Sequence, residues 1–383
     1  MSTSQEVLTS VMPETNRATY AYAIYIDDNN LFTLWFPNPH RGHVNDGVHV
    51  NTTNAVYASL PELSIDDAEP VCHNAVRLPP AFESQLSRAH SLRCLGESQI
   101  RSHDFISAES SLDEGLTLAQ DSGDRLCQAE CLRALGDVNI HLSRLRVSKE
   151  KYSQALPLYV SVGDSVGEAH CIKRIGNVIF CLGEIDASAI AFKKALVIYT
   201  SINELTGQGK CLRSLGDASI LQSDPLTALK YYEEAELLFA VDNNVVGRAS
   251  CVAGRGEAHY LLGDNDLAEQ QLKEANEVFI QNNSVFEQGH LWRCLGKVSI
   301  ARGDYTEARS RIMHGLKICM TCGNTLGEAH CVRDIARCDE LGGHIDVAIE
   351  GLIKASQLFE QVENMEEKVM CDKALAEVRD SIG

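Results

Sequence analysis

The 383-residue sequence lacks an apolar run of the roughly 18 to 20 residues that a membrane helix needs. Its best candidate, ATYAYAIYIDDNNLFTLWF, is interrupted at Asp27 to Asn30, so no membrane insertion is expected. It also lacks positive charge: the formal net charge is −19. General nucleic-acid binding and attraction to an anionic membrane are therefore excluded, because counterion release and surface potential both favour basic proteins. The polar opening MSTSQE has no apolar h-region, so no secretory signal is expected. Fourteen cysteines then belong to a reducing, cytoplasmic setting rather than to a disulfide scaffold. No phosphate-cradling glycine-rich loop ending in Gly-Lys-Ser or Gly-Lys-Thr occurs, and no pattern gathers a serine, a histidine and an aspartate. No catalysis, cofactor or metal is expected.

What the chain has is a period. The pentapeptide GEAHC stands at 167–171 and again at 327–331, a separation of 160 residues, or four times 40. Steps of 40 from Gly96 reach Gly136, Gly176, Gly216, Gly256 and Gly296, then Ala336 and Ala376. From Ala108 they reach Ser148, Ser188, Ala228, Ala268, Ala308 and Ala348, and from Gly115 they reach Ala155, Ala195, Ala235, Ala275, Gly315 and Ala355. Three columns of small residues describe two helices per unit whose backbones approach closely where no side chain intervenes.

The boundaries recur as well. Asp124, Asp164, Asn244, Ser284, Asn324 and Asn364 form a column of N-cap residues, with Glu204 as its one poor member. Gly or Asn at 123, 163, 203, 243, 283 and 323 provides the left-handed stop before them. Within units, Gly183, Gly263, Gly303 and Gly343 stop the first helix, and Asp104, Glu184, Asp224, Asp264 and Asp304 open the second. Pro225 takes the favoured first helical position. Each helix should be about 17 residues, or about 25 Å, long.

These columns resemble the tetratricopeptide repeat, with LRALGD at 132–137, Tyr152 and Ala155, and LWRCLGK at 291–297, Ala308 and Gly315 fitting its signature. A period of 40 resembles the longer-helix variety of Pins-type spindle-orientation adaptors, nephrocystin-like proteins, kinesin light chains and fungal signalling proteins. The resemblance implies an all-α, right-handed α-solenoid of seven helix pairs over 85–364, closed by a capping helix at 365–383. Two departures stand out. Arg255 replaces the leucine before Gly256, and Pro157 falls inside a second helix, where a kink is expected.

The period also explains the reactive-looking residues. Cys131, Cys171, Cys211, Cys251, Cys331 and Cys371 share one column and should be core thiols. Cys319, Cys322, Cys331 and Cys338 open with C-x-x-C, the spacing of a zinc site, yet Cys319 shares its column with Tyr159, Tyr199 and Phe239, so packing is preferred. His170, His290 and His330 are expected to line a groove rather than to act as ligands or bases.

Residues 1–84 obey no such period. YAYAIYI and LFTLWF flank the turn signal DDNN, which suggests a β-hairpin at 20–36. Six prolines over 37–80 read as irregular linker. This segment could mask a groove in cis or have no fold.

One column of the first helix reads Arg93, Arg133, Lys173, Arg213, Ala253, Arg293, Arg333 and Lys373. By the resemblance this position lines the concave groove in which extended peptides lie. Glu97, Asp137, Asp217 and Glu377 follow a base by four positions and can neutralise it, an effect of about 0.2–0.5 kcal/mol per pair. In the sixth and seventh repeats Lys297 and Arg337 replace the acid. Arg293, Lys297, Arg333 and Arg337, flanked by His290 and His330, are therefore expected to grip an acidic peptide or partner domain. Reversing Arg293 and Arg333 to Glu is expected to abolish binding without unfolding the array. The function expected is a non-enzymatic scaffold or adaptor. The second reading is a regulatory or sensor array of a signalling NTPase system that acts with a separate ATPase.

Overall fold

The structure, a computed structural model, describes residues 21–27, 30–36, 55–58 and 85–380. The chain divides into two compact units, Met1–Asp124 and Arg125–Gly383. The first holds strands β1 (Ala21–Asp27), β2 (Asn30–Phe36) and β3 (Ala55–Ala58), with helices α1 (Gln85–Arg101) and α2 (Phe105–Asp121). The sheet order is β2-β1-β3, with both pairs antiparallel; Asp27 lies opposite Asn30 and Ile24 opposite both Thr33 and Val56. β3 falls in the stretch expected to be irregular. Its Val56 and Tyr57 are strand formers, and the edge of β1 gives them a ladder to join. The remainder of 37–80 lies outside the described residues, and so does any masking role for 1–84.

The second unit is all helix among its described residues: α3 (Arg125–His141), α4 (Leu145–Val162), α5 (Ser165–Cys181), α6 (Ile185–Ser201), α7 (Leu205–Leu221), α8 (Pro225–Val241), α9 (Val245–Leu261), α10 (Asn265–Gln281), α11 (Val285–Ala301), α12 (Tyr305–Thr321), α13 (Thr325–Leu341), α14 (Ile345–Gln361) and α15 (Met365–Asp380). The punctuation is strict. A residue of positive φ recurs every 20 positions from His103 to Glu363, and seven of these are glycine. Gly163, at φ 72°, closes α4 in the left-handed conformation that a Cβ disfavours. The side chains of Asp224, Asp264, Asp304, Asn244 and Asn324 each accept a backbone N–H three residues on, at 2.7 to 3.2 Å.

Three boundaries depart from expectation. Glu204, the supposed poor cap, does accept from the Gly207 N–H. A Cβ at Gly207 would lie 2.2 Å from that carboxylate, so the missing side chain is what lets the longer acid fold back. Ser284 and Glu184 make no side-chain cap bond. Pro157, where a kink is expected, lies inside the 18 residues of α4.

The small-residue columns mark one repeated contact. Over Gly96, Gly136, Gly176, Gly216, Gly256 and Gly296 stand Leu112, Tyr152, Phe192, Tyr232, Leu272 and Ile312, where an added Cβ would come within 2.2 to 3.0 Å of the covering side chain. These six side chains are at most 1% exposed. Two also have a polar end to satisfy: the Tyr152 hydroxyl donates to Asp137 at 2.6 Å and that of Tyr232 to Asp217 at 2.8 Å.

Within the second unit each helix packs on its sequence neighbours, and first helices also reach the next first helix (α5 to α7, α7 to α9, α9 to α11, α11 to α13). Contact between alternate first helices places them on the inside of the curve. The coil also meets itself: Asn364 Nδ2 donates to the Cys181 carbonyl at 2.9 Å, Ser143 and Thr325 hydroxyls lie 3.3 Å apart, and Arg146 pairs with Glu363. The first two of these join residues 183 and 182 positions apart in the chain.

If the glycine contact sets the spacing of a pair, Gly136→Ala must push the Tyr152 ring off its seat. Overpacking of this kind costs about 1–3 kcal/mol. Urea unfolding should show a lowered midpoint, and an unchanged midpoint would refute the contact's role.

Candidate partner-binding face

In the second unit the basic column lies on the inner, first-helix face, and its members other than Lys173 are held by carboxylates. In the first unit Arg93 bonds to Glu97 at 3.0 Å. In the second, Arg133 and Arg174 both reach Asp137, at 3.2 and 3.3 Å, and Arg213 stands 3.6 Å from Asp217. The Tyr152 and Tyr232 hydroxyls orient the same two aspartates. A core contact thus fixes an acid, and the acid fixes a base on the face.

In the sixth and seventh repeats the structure corrects the expectation of unneutralised charge. Arg293 bonds to Asp334 at 3.1 Å, and Arg333 engages both Asp334, at 3.1 Å, and Glu367. Lys297 donates to Glu257 at 3.0 Å, with His290 3.5 Å from the same carboxylate. Arg337 turns to Glu340 at 2.8 Å. His330 stacks edge-on against Phe359, with ring centroids 5.0 Å apart. Arg293 is moreover not a surface residue: its side chain and that of Asp334 are each 11% exposed.

Glu257, Asp334 and Glu367 escape a reading of the sequence that pairs each base with the acid four residues along the same helix. Equivalent turns of neighbouring repeats lie side by side, so an acid one period away can pair. Glu257 is 40 residues before Lys297, and Asp334 is 41 after Arg293.

The network sets protonation. Burial opposes the charge on Glu257, but Lys297, His290 and Arg293 outweigh it and hold the carboxyl down at about 2. Burial likewise opposes ionisation of Asp334, and Arg333 and Arg293 still keep it well below the usual carboxylate range. Burial, together with the cations Arg293 and Arg333, keeps His330 neutral.

Lys173 differs from the rest of its column. It is 9% exposed, and among the described residues its ammonium has no hydrogen-bond or ion-pair partner. Burial, reinforced by Arg174, Lys210 and Arg213, brings its pKa down to about 7. Burial and the same surroundings, Arg174 and Arg133 foremost, keep His170 neutral.

Among the described residues the cysteines are free thiols, and those of the repeating column are at most 1% exposed. Of the C-x-x-C group, Cys322 is exposed, while Cys319, Cys331 and Cys338 are buried. Glu257, His290 and Cys294 do bring potential ligand atoms within 4.8 Å of one another. There the Lys297 ammonium already occupies Glu257, and burial pushes the Cys294 thiol up to about 12. The trio is part of the ion-pair network.

No family model and no curated protein matches this sequence. Solved structures do. The Rap conjugation gene regulator of plasmid pLS20, in complex with a Phr peptide, aligns over 80% of this chain and 88% of its own, with a TM-score of 0.61 and 14% identity. Aspartyl phosphate phosphatase F from Bacillus subtilis aligns over 73% of this chain and 72% of its own, with a TM-score of 0.59 and 15% identity. A signal transduction ATPase with a tetratricopeptide repeat sensor, from Pyrococcus horikoshii, aligns over 78% of this chain but only 43% of its own, with a TM-score of 0.50 and 15% identity. At such identities the likeness concerns fold. The helical repeats form an α-solenoid of the tetratricopeptide type, and no described helix is long and apolar enough to cross a membrane.

Two tests follow. Arg293→Glu would set a third carboxylate beside Asp334 and Glu257 and should lose about 3–5 kcal/mol, as when a buried pair is broken. Arg337→Glu, at a side chain 58% exposed, should change stability by no more than about 0.5 kcal/mol. Equal effects in thermal unfolding would disprove the burial of this network.

The second test uses pH. The folded pKa of Glu257, about 2, lies below the unfolded value of about 4.3. Its contribution is thus whole above about pH 4.3 and disappears as pH falls toward about 2. Glu257→Gln should be less stable than the wild type at neutral pH, and the gap should close between those values. A gap constant with pH would mean that the charge of Glu257 is not what stabilises.

Proposed function

We propose that this protein is a non-enzymatic, cytoplasmic scaffold or adaptor that holds an extended peptide, or a segment of a partner domain, along its first-helix face. We assign residues 1–84 to a non-repeat segment, 85–364 to seven helix-pair repeats and 365–383 to a capping helix. The observation that carries the proposal is the row of half-buried ionic side chains on that face, all but Lys173 held in place by a neighbouring repeat or by their own helix. Such a row offers oriented donors and acceptors at the spacing of the repeats, which suits an extended chain. His290, Lys297, His330, Arg333 and Arg337 would meet the partner at one end, and Arg133, Lys173 and Arg213 at the other. Arg93 belongs to the same sequence column but to the first unit. The peptide found with the plasmid regulator of like fold supports this use of the face.

Because acids and bases alternate here, the sixth and seventh repeats should select a partner by register more than by net charge. The second reading, a sensor array serving a separate ATPase, draws support from the Pyrococcus likeness, which leaves most of that ATPase unmatched.

The test is an acidic and mixed-charge peptide library screened on the purified chain, followed by hydrogen exchange of the best complexes. Protection should concentrate in α5, α7, α9, α11 and α13, and affinity should fall as salt rises. Protection confined to second helices, or affinity indifferent to salt, would refute the adaptor reading. Stimulation of a co-purified ATPase by the same peptide would favour the sensor.

A further inference from the structure

The stacking of the second unit has one weak junction. Gly167, Gly207, Gly247 and Gly327, each third in a first helix, let that helix settle on Tyr159, Tyr199, Phe239 and Cys319 of the second helix before it; an added Cβ would come within 2.2 to 2.8 Å of those side chains. At the equivalent place in α11 the residue is Glu287, and the side chain it must clear is Phe279. The start of α11 is correspondingly loose. Ser284 makes no side-chain cap bond, and Ile280, Val285 and Phe286 are 57%, 44% and 63% exposed. Of all consecutive helices in the second unit, α10 and α11 pack least extensively. The middle of α11 still shares a core with α10 through Leu291, Leu295, Leu272 and Phe279, and Lys297 still reaches Glu257 on the inner side. Such a junction can bend without parting.

The second unit is also uneven where one turn of the coil touches the next. Asn364, only 4% exposed, donates to the Cys181 carbonyl at 2.9 Å, and Arg146 pairs with Glu363. Gly183 makes room for this meeting: a Cβ there would lie 3.1 Å from both Asn364 Oδ1 and Glu366 Oε2, whereas at Gly163, Gly263, Gly303, Gly323 and Gly343 it would meet nothing within 4 Å. Glu363 has a positive φ of 59°, in a column otherwise filled in this unit by Gly163, Asn203, Asn243, Asn283 and Gly323. A glutamate is strained in that conformation, and strain of this kind persists only where the surroundings hold it. Every contact across the coil joins a residue before the loose junction to one after it.

We propose that the second unit is a latched clamp, in which α3–α10 and α11–α15 are two arms, the α10–α11 junction is their hinge, and the contacts of Arg146 with Glu363 and of Cys181 with Asn364 are the latch. In a simple repeat stack each unit touches only its neighbours, so a bend at one junction costs nothing elsewhere. Here a bend at α11 must break the latch, and the latch restrains the hinge. The pair of arms therefore has a closed and an open setting rather than a continuum, and the choice between them sets how far apart the first helices of the two arms stand. The device acts whatever the inner face binds.

The experiment measures the separation of the arms in the full chain, with spin labels on genetically encoded azide side chains at the exposed Gln154 in α4 and Gln357 in α14, so that the native cysteines stay untouched. Pulsed electron resonance should give one narrow distance distribution for the wild type. Arg146→Glu, at a side chain 73% exposed, sets two carboxylates against each other, and the distribution should lengthen and broaden while the helical signal stays unchanged. Gly183→Asn, which tolerates a positive φ but wedges against Asn364, should act in the same direction. Adding Glu363→Arg to Arg146→Glu restores the pair with its signs exchanged and should recover the narrow distance. Adding Glu287→Gly to Arg146→Glu should also narrow the distribution, by seating α11 on Phe279 although the latch stays broken. A distribution that neither Arg146→Glu nor Gly183→Asn moves would overturn the latch. One that Glu287→Gly leaves as broad as before would overturn the hinge.

Discussion

Six of the seven helix pairs depend on the seating of a bulky second-helix side chain on bare first-helix backbone. Glycine at 136, 176, 216 and 296 lets Tyr152, Phe192, Tyr232 and Ile312 approach closer than any Cβ would permit. That approach fixes the spacing within a pair, and repetition at every 40 residues turns a local fit into a stack. Where the seated residue is tyrosine, its hydroxyl must find an acceptor, and it finds the aspartate that follows the glycine. The same aspartate steadies an arginine on the inner face. Packing in the core thereby governs the geometry of charge at the surface.

The inner face is a ladder of both signs rather than a basic stripe. Charges there are largely withdrawn from solvent, so each needs a partner, and the repeat supplies one either within a helix or from the neighbouring unit. Arg293, Asp334, Arg333 and Glu367 form one such run across three consecutive first helices. Against this regular pairing a single asparagine at 177 has a consequence out of proportion to its size. It stands four positions after Lys173, where Arg133 and Arg213 have an aspartate, and leaves that one buried lysine without a counter-charge among the described residues.

The likeness to a regulator in complex with a peptide and to part of an ATPase with a tetratricopeptide repeat sensor concerns a fold shared at low identity. What distinguishes this chain lies in which rungs of its ladder are filled. The contacts of Asn364 with Cys181 and of Arg146 with Glu363 further tie distant turns of the second unit together, so changes in its curvature must break or re-form them.

The sequence by itself determined the helices, their 20-residue spacing, their stops and the burial of the cysteine column, because these follow from local backbone chemistry repeated in register. It also placed the basic column on the first helices. It did not reveal that Glu204 caps its helix, since Glu is a weak capper by type and succeeds here only because Gly207 leaves room. Nor did it reveal that Asp334 and Glu257 neutralise Arg293 and Lys297. Those pairs join residues about one period apart, and only the stacking of one repeat on the next brings them within bonding distance. The isolation of Lys173 was decided at the same level: Asn177 and, one repeat on, Ser214 are unremarkable in sequence, and the lack of an acid at these positions matters only once the tertiary structure buries the lysine.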